Sequence, residues 1–378
     1  MTAGKALAPG LYIHFPFCRS KCGYCDFYSV TETSLVPAFL EALSGEAALY
    51  REEFTVFDTV YLGGGTPSLM APEQVEALLE TIRGTFTILG NAEITMELNP
   101  ADLTRDDLRK LWGAGVNRVN IGVQSFHDRE LKFLGRRHDR RQALSALEGA
   151  AAAGFDNIGL DLIYHLPHQS LEAWRASLDQ AIALHPAHLS CYELELKTGT
   201  PLGRKYGQGT HARRPEDLAQ EFFVETSEIL EDAGYIHYEV SNFAAGMDKA
   251  SRHNRKYWDH TPYLGLGPAA HSFKDTRRWW NRSPLQGYLA DLRTGERPVE
   301  GREDLGLEEL AMEALFLGLR TRDGIDLDRY ARLYGRDLME ENGRQLEEWS
   351  RLGIVEIAHG RVRPTRSGMA VADALAVL

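Results

Sequence analysis

The chain reads as an α/β protein: a partial, open (β/α)6 barrel followed by a C-terminal, mostly helical, winged-helix-like domain. Three observations predict this. Six short, apolar, β-rich runs alternate with amphipathic helical stretches over the first half of the 378 residues. Chemistry-bearing residues recur just past the end of each run, where parallel α/β barrels gather their sites. After about residue 200 the alternation stops, and from Leu305 the pattern becomes helical with one hairpin. Six units are too few for a closed barrel of eight.

The strands are expected at residues 11–15, 59–62, 93–98, 118–123, 157–164 and 188–194. Amphipathic stretches fill 35–51, 72–84, 104–112, 140–153 and 171–184. Past the first strand comes Cys18-Arg-Ser-Lys-Cys22-Gly-Tyr-Cys25. Past the second comes Gly63-Gly-Gly-Thr66-Pro67-Ser68; Glu97-Leu-Asn-Pro closes the third, Gln124-Ser125 the fourth, and the stretch from Asp161 to His165 the fifth. Beyond residue 200 a helix is expected near 216–233 and a strand at 235–240, while 241–285 reads as irregular and aromatic-rich. The last segment has three helices, a hairpin turning at His359-Gly360, and a closing helix after Ser367. The divisions are a core barrel over 1–200, an extension over 201–304, and the winged-helix-like domain over 305–378. That last domain reads as a stabilising cap or partner surface.

Composition excludes several classes. The formal charge of −12 argues against nonspecific nucleic-acid binding. No apolar run is long enough to span a bilayer, and Met1-Thr-Ala-Gly-Lys5 lacks a secretory h-region. Four cysteines, three of them in one loop, fit a reducing, cytoplasmic compartment.

The C-x3-C-x2-C triplet gathers three soft thiolates. An iron–sulfur centre suits them, and a cubane on three thiolates keeps one iron open for a small molecule. Zinc, with His14 as a fourth ligand, and a disulfide are the alternatives. Cys191 lies far away in an apolar strand.

Together with Tyr12-Ile-His-Phe-Pro-Phe before Cys18 and Asp-Phe27 after Cys25, this loop resembles the radical S-adenosylmethionine superfamily. More narrowly it resembles the anaerobic coproporphyrinogen oxidase branch, which holds decarboxylating oxidases and haem chaperones. The resemblance implies a [4Fe-4S] cluster on Cys18, Cys22 and Cys25, and bound S-adenosyl-L-methionine. It implies that Gly64, Gly65 and Thr66 meet the methionine amine, with Glu97 and Gln124 on the cofactor's polar groups. Glycines there also let backbone approach a ligand. Asp161, a carboxylate in an apolar strand, takes a ribose role. Arg136 and Arg137 are rivals for the cofactor carboxylate, and the resemblance favours Arg136. Tyr12 either contacts the cofactor or simply packs the barrel. Tyr24 and Phe27 flank the cluster and are expected to shield it.

Two functions follow from the resemblance: oxidative decarboxylation of coproporphyrinogen III, or haem binding and transfer to an acceptor protein. Three features favour the haem carrier. Phe27 stands where the oxidases carry a further cysteine, and 17 residues precede Cys18 where they have a longer segment. Arg252-His253-Asn254-Arg-Lys-Tyr257-Trp258 matches the H-N-x-x-Y-W pattern of the chaperones. One departure is Ser251, where some relatives have cysteine; if a thiol takes part in haem attachment at that position, this chain cannot use it. His253 is the expected haem ligand, since imidazole is a common axial ligand, and His271 is its competitor. Peripheral contact with membrane haem proteins and a homodimer are further expectations of this reading.

Overall fold

The structure is a computed structural model that describes residues 8–206 and 216–375. It divides into two compact units. The first takes the chain up to Leu162, returns for a segment from Leu194, and closes with Thr261–Glu303. The second takes Ile163–Glu193, a segment ending at His260, and the chain from Asp304 onward.

In chain order the first half alternates as expected: β1 (Gly10–Phe15), α1 (Val36–Leu49), β2 (Val56–Gly64), α2 (Pro72–Thr85), β3 (Thr87–Leu98), α3 (Arg105–Ala114), β4 (Arg118–Gln124), α4 (Asp128–Leu134), α5 (Arg140–Ala153) and β5 (Ile158–Tyr164). Then come α6 (Leu171–Ala183), β6 (His188–Glu193), α7 (Pro201–Tyr206) and α8 (Glu216–Asp232). The helix ends are written in the sequence. Thr104 and Asp107 cap α3 reciprocally, Asp139 and Gln142 do so for α5, and left-handed Gly115 and Gly154 stop these two helices.

β1 to β5 pair in parallel and in sequence order. Leu11, Ile13 and Phe15 of β1 are buried on one face, where the Phe15 ring meets those of Phe17 and Phe39. Register fixes what the other face carries. Tyr12 pairs with Tyr61, Tyr61 with Thr95 and Thr95 with Arg118. One layer along the strands, His14 pairs with Gly63, Glu97 with Asn120 and Asn120 with Gly159. The next layer pairs Gly122 with Asp161. Side chains repeat every second residue along a strand, so the polar candidates share one face in adjacent layers.

The stretch 241–285 is not irregular. β7 (Ile236–Glu239) is the strand expected at 235–240; the stretch after it forms β8 (Asn242–Ala244), paired with β7, then α9 (Arg252–Trp258), β9 (Tyr263–Leu266), β10 (His271–Lys274) and β11 (Arg277–Asn281). These strands are three to five residues long, too short to display a period, and long-range pairing makes them: β9 runs parallel to β1 with Gly10 opposite Tyr263. The first unit closes with α10 (Leu285–Arg293) and β12 (Val299–Asp304). A buried carboxylate ties it together: Glu46 of α1 accepts from Gly267 N, Tyr288 Oη and Asn281 Nδ2 at 2.8, 2.7 and 2.5 Å.

The C-terminal segment holds α11 (Leu307–Gly318), β13 (Ile325–Asp326), α12 (Leu327–Tyr334), α13 (Leu338–Arg351), β14 (Val355–Ala358), β15 (Arg361–Pro364), α14 (Arg366–Ala370) and α15 (Ala372–Leu375). The hairpin β14–β15 turns at His359 and Gly360, both with positive φ, and β13 pairs with β15 as a third strand. Leu315, Leu319, Tyr330, Leu346, Trp349 and Val362 build a core within this segment.

Candidate functional site

The cysteine loop is held at both ends. Val30 N donates to Pro16 O at 2.7 Å and Cys18 N to Val30 O at 2.9 Å. Gly23 N reaches Leu134 O, and Leu202 N reaches Gly23 O at 2.8 Å. Cys18 is buried; Cys22 and Cys25 are half-buried, and all three thiols are free. Burial pushes the Cys25 thiol up, and the neighbouring Cys22 and Cys18 sulfurs add to this. Thr66 Oγ1 donates to Cys18 Sγ at 3.3 Å. His14 does not offer a fourth ligand. Its Nε2 meets Tyr28 O at 2.9 Å and its Nδ1 the Tyr12 hydroxyl at 3.0 Å. The zinc alternative loses its ligand there.

The glycines after β2 serve close approach within the protein. A Cβ on Gly64 would lie 2.6 Å from the His14 ring, and one on Gly65 would lie 2.7 Å from Phe17 O. Gly64 also needs its left-handed φ of 104°. Its freed N–H donates to Glu97 Oε2 at 3.2 Å, while Tyr61 Oη donates to Glu97 Oε1 at 2.9 Å. Burial, then the charge of Asp161, pushes Glu97 up to about 7. Asp161 Oδ2 accepts from Asn120 Nδ2 at 2.7 Å. Two carboxylates in one another's field make this side of the site fit for a cationic group.

Gln124 ends β4 in a left-handed conformation with φ of 68°, where the β4–β5 register shifts. Such strain is held at functional positions by the surrounding fold. Gly122 leaves room beside Gln124 Nε2 and Arg136 Nη2, which a Cβ there would meet at 2.9 and 3.2 Å.

The structure separates the two arginines. Arg136 turns inward: Nη2 donates to Gly122 O at 2.7 Å, Nη1 lies 3.6 Å from Cys22 Sγ, and the Tyr24 hydroxyl bonds the same guanidinium. Its Nε–H is buried without an acceptor among the described residues, so the donor set fits an anionic group. Arg137 instead donates to Asp102 at 2.5 Å. Sequence reading missed Tyr61 and Asn120, the partners of the two acids. It also missed α4, whose end delivers Arg136. Tyr24 is half-buried beside the loop, and Phe27 is 67% exposed.

The haem candidates fall elsewhere. His253 lies on α9, with 0% exposure and Nε2 bonded to Tyr257 Oη at 2.8 Å. Ser251, the position of the expected cysteine, is the N-cap of that helix and accepts from Asn254 N. His271 lies on β10 with its ring stacked 5.8 Å from Trp280. Among the described residues no helix is long and apolar enough to cross a membrane.

Comparison with known proteins shows the family. Residues 12–181 match the model of the radical SAM superfamily, and 305–371 that of the HemN C-terminal domain. The chain is 36% identical over 336 residues to the "Heme chaperone HemW" of Synechocystis sp., covering 86% of this chain and 81% of that one. It is 33% identical to the protein of the same description from Bacillus subtilis, covering 94% of this chain and 95% of that one. In three dimensions it resembles the coproporphyrinogen III oxidase HemN of Escherichia coli, a radical SAM enzyme: TM-score 0.85, 22% identity, 98% of this chain and 89% of that one. That likeness shows the fold, the expected α/β barrel with its helical C-terminal region. Sequence identity at this level over nearly the whole length decides the branch: the chain belongs to the HemW family of the radical SAM superfamily.

Proposed function

We propose that this protein is a haem chaperone, which binds a [4Fe-4S] cluster, S-adenosylmethionine and haem and passes haem to an acceptor protein. What carries this reading is end-to-end identity with proteins described as haem chaperones, against a likeness to the oxidase that extends to fold alone. Cys18, Cys22 and Cys25 hold the cluster, with Thr66 hydrogen-bonded to the first of them. Gly64, Gly65 and Glu97 form the amine side of the cofactor site. Gln124 and Arg136 form the carboxylate side, and Asp161 takes the ribose. Tyr12 and Phe27 bound the site. Bound together, the cluster and the cofactor supply one-electron chemistry; the residues named here bind, orient and neutralise. Haem is held at α9, with His253 as ligand once Tyr257 releases it and His271 as the competing ligand. The chain divides into a barrel over 1–200, an extension over 201–304 and residues 305–378, which have their own core and act as a cap or partner surface. Cytoplasmic residence, contact with a membrane haem protein and a homodimer complete the proposal.

The test uses one anaerobically reconstituted sample. Haemin is expected to give a Soret band. Coproporphyrinogen III with reductant and S-adenosylmethionine is expected to yield no protoporphyrinogen. Sustained decarboxylation would move the chain to the oxidases. A Soret band unchanged in His253→Ala but altered in His271→Ala would keep the function and move the ligand.

A pH dependence arises from Glu97. Its carboxyl is pushed up to about 7, so it is largely neutral below that pH and ionised above it. Only the ionised form attracts an ammonium, so binding below that pH must first release a proton. S-adenosylmethionine affinity therefore rises between about pH 6 and about pH 7.5. Glu97→Gln is expected to bind more weakly with a flat profile in calorimetry. A sloping profile in that variant would assign the proton to another group.

A further inference from the structure

We propose that the carboxylate edge of the porphyrin sits in a cleft of the second unit, between α9 and the α11–α12 part of the C-terminal segment, on the side of α9 away from His253. This rests on the haem reading above and names its seat.

The cleft encloses about 250 Å³. On one wall stand Arg255 and Trp258, three residues apart and so on one face of α9. His253 and Lys256 occupy the buried face of the same helix. The Arg255 guanidinium is exposed and has no partner among the described residues. Trp258 Nε1–H is buried and has no acceptor among the described residues. A buried donor left unpaired costs on the order of 1–3 kcal/mol. Cation and indole N–H thus ask for the same thing, an anionic oxygen.

On the facing wall α12 presents Tyr330 and Tyr334, one turn apart, with ring centroids 5.0 Å from one another. The turn after α9 holds His260 between the Tyr334 hydroxyl at 3.1 Å and Glu313 at 3.3 Å. The site therefore combines flat aromatic surface with a free cation and a free donor. A flat aromatic ring that carries carboxylates matches all three. The volume is below the roughly 300–1,000 Å³ typical of pockets that bury a drug-sized ligand. It takes one edge of a macrocycle and leaves the remainder accessible, as a protein that must hand its ligand on requires. The seat also gives the C-terminal segment a part in binding, since its α12 forms the second wall.

Metal-free protoporphyrin IX tests the seat without involving any iron ligand. The full-length protein is titrated with the free acid and with its dimethyl ester, followed by quenching of tryptophan fluorescence. The free acid is expected to bind at least about tenfold more tightly than the ester. Arg255→Glu abolishes that preference, and Trp258→Phe, which keeps the ring and loses the N–H, reduces it several-fold. An equal charge reversal at Arg344, exposed on α13 and outside the cleft, leaves it in place. If wild type shows no acid preference, or Arg255→Glu and Trp258→Phe both retain it, the seat is wrong; a Soret band on adding haemin to the same samples then keeps the haem reading standing. If wild type binds neither porphyrin nor haemin, the seat and the haem reading fall together.

Discussion

Alanine at Cys18, Cys22 or Cys25 is expected to abolish the broad visible absorption of the reconstituted protein, each to the same extent. Alanine at Cys191 is expected to leave it unchanged. The reason is that, among the described residues, the loop has no spare thiol and no unengaged imidazole beside it. His14, the one imidazole near it that sequence offered as a ligand, has both ring nitrogens engaged by Tyr12 and Tyr28. Cys191 lies buried in β6 of the second unit, with its N–H donated to Ser241 O. A cluster deprived of one thiolate therefore finds no replacement. The backbone of the loop is set by Val30, Leu134 and Leu202 and not by its sulfurs, so the variants are expected to fold. Far-ultraviolet circular dichroism separates cluster loss from unfolding. Cluster loss of equal size in Cys191→Ala would overturn the assignment.

Much of this site could be read from the chain because parallel strands impose a rule: residues just past the end of a strand face the mouth. Gly64, Glu97, Gln124 and Asp161 were placed by that rule alone, and the register of β1 to β5 puts Glu97, Asn120 and Asp161 in adjacent layers of one face. The remainder depends on which way a side chain turns, which a linear pattern does not carry. Arg136 and Arg137 are adjacent and chemically alike; the left-handed Gly135 that ends α4 sends one inward and the other to Asp102. Phe27 is apolar and beside the cysteines, yet it is 67% exposed, which its residue type does not foretell. The H-N-x-x-Y-W pattern marked α9 as a segment of interest, but the pattern runs around a helix. His253 falls on the buried face, and Trp258 with Arg255 on the open one. The strands after residue 240 were missed because three to five residues carry too little period, and β1, more than two hundred residues earlier, is what organises β9.

The second large effect is expected at those two arginines. Arg136→Met should weaken S-adenosylmethionine binding about a hundredfold, while Arg137→Met should stay within about threefold, both with the cluster intact. Arg136 is pre-positioned: its own N–H bonds Leu131 O at 2.9 Å, Gly122 O holds Nη2, and Nε–H remains free for a ligand. A charge-assisted contact of this kind contributes about 1.5–3 kcal/mol, and about 2.7 kcal/mol is a hundredfold in affinity. Arg137 already has its carboxylate in Asp102, whose side chain is 1% exposed, so its removal leaves that buried acid to Ser68 and costs folding stability rather than cofactor affinity. Arg136→Lys is the informative intermediate. It keeps the charge, but a single ammonium cannot hold Gly122 O and a ligand as a fork does, so it should recover only part of the loss. Isothermal titration on cluster-loaded protein measures all three. Equal weakening by Arg136→Met and Arg137→Met would mean that the charge of the loop, and not the placement of one guanidinium, holds the cofactor, and the carboxylate side of the site would have to be redrawn.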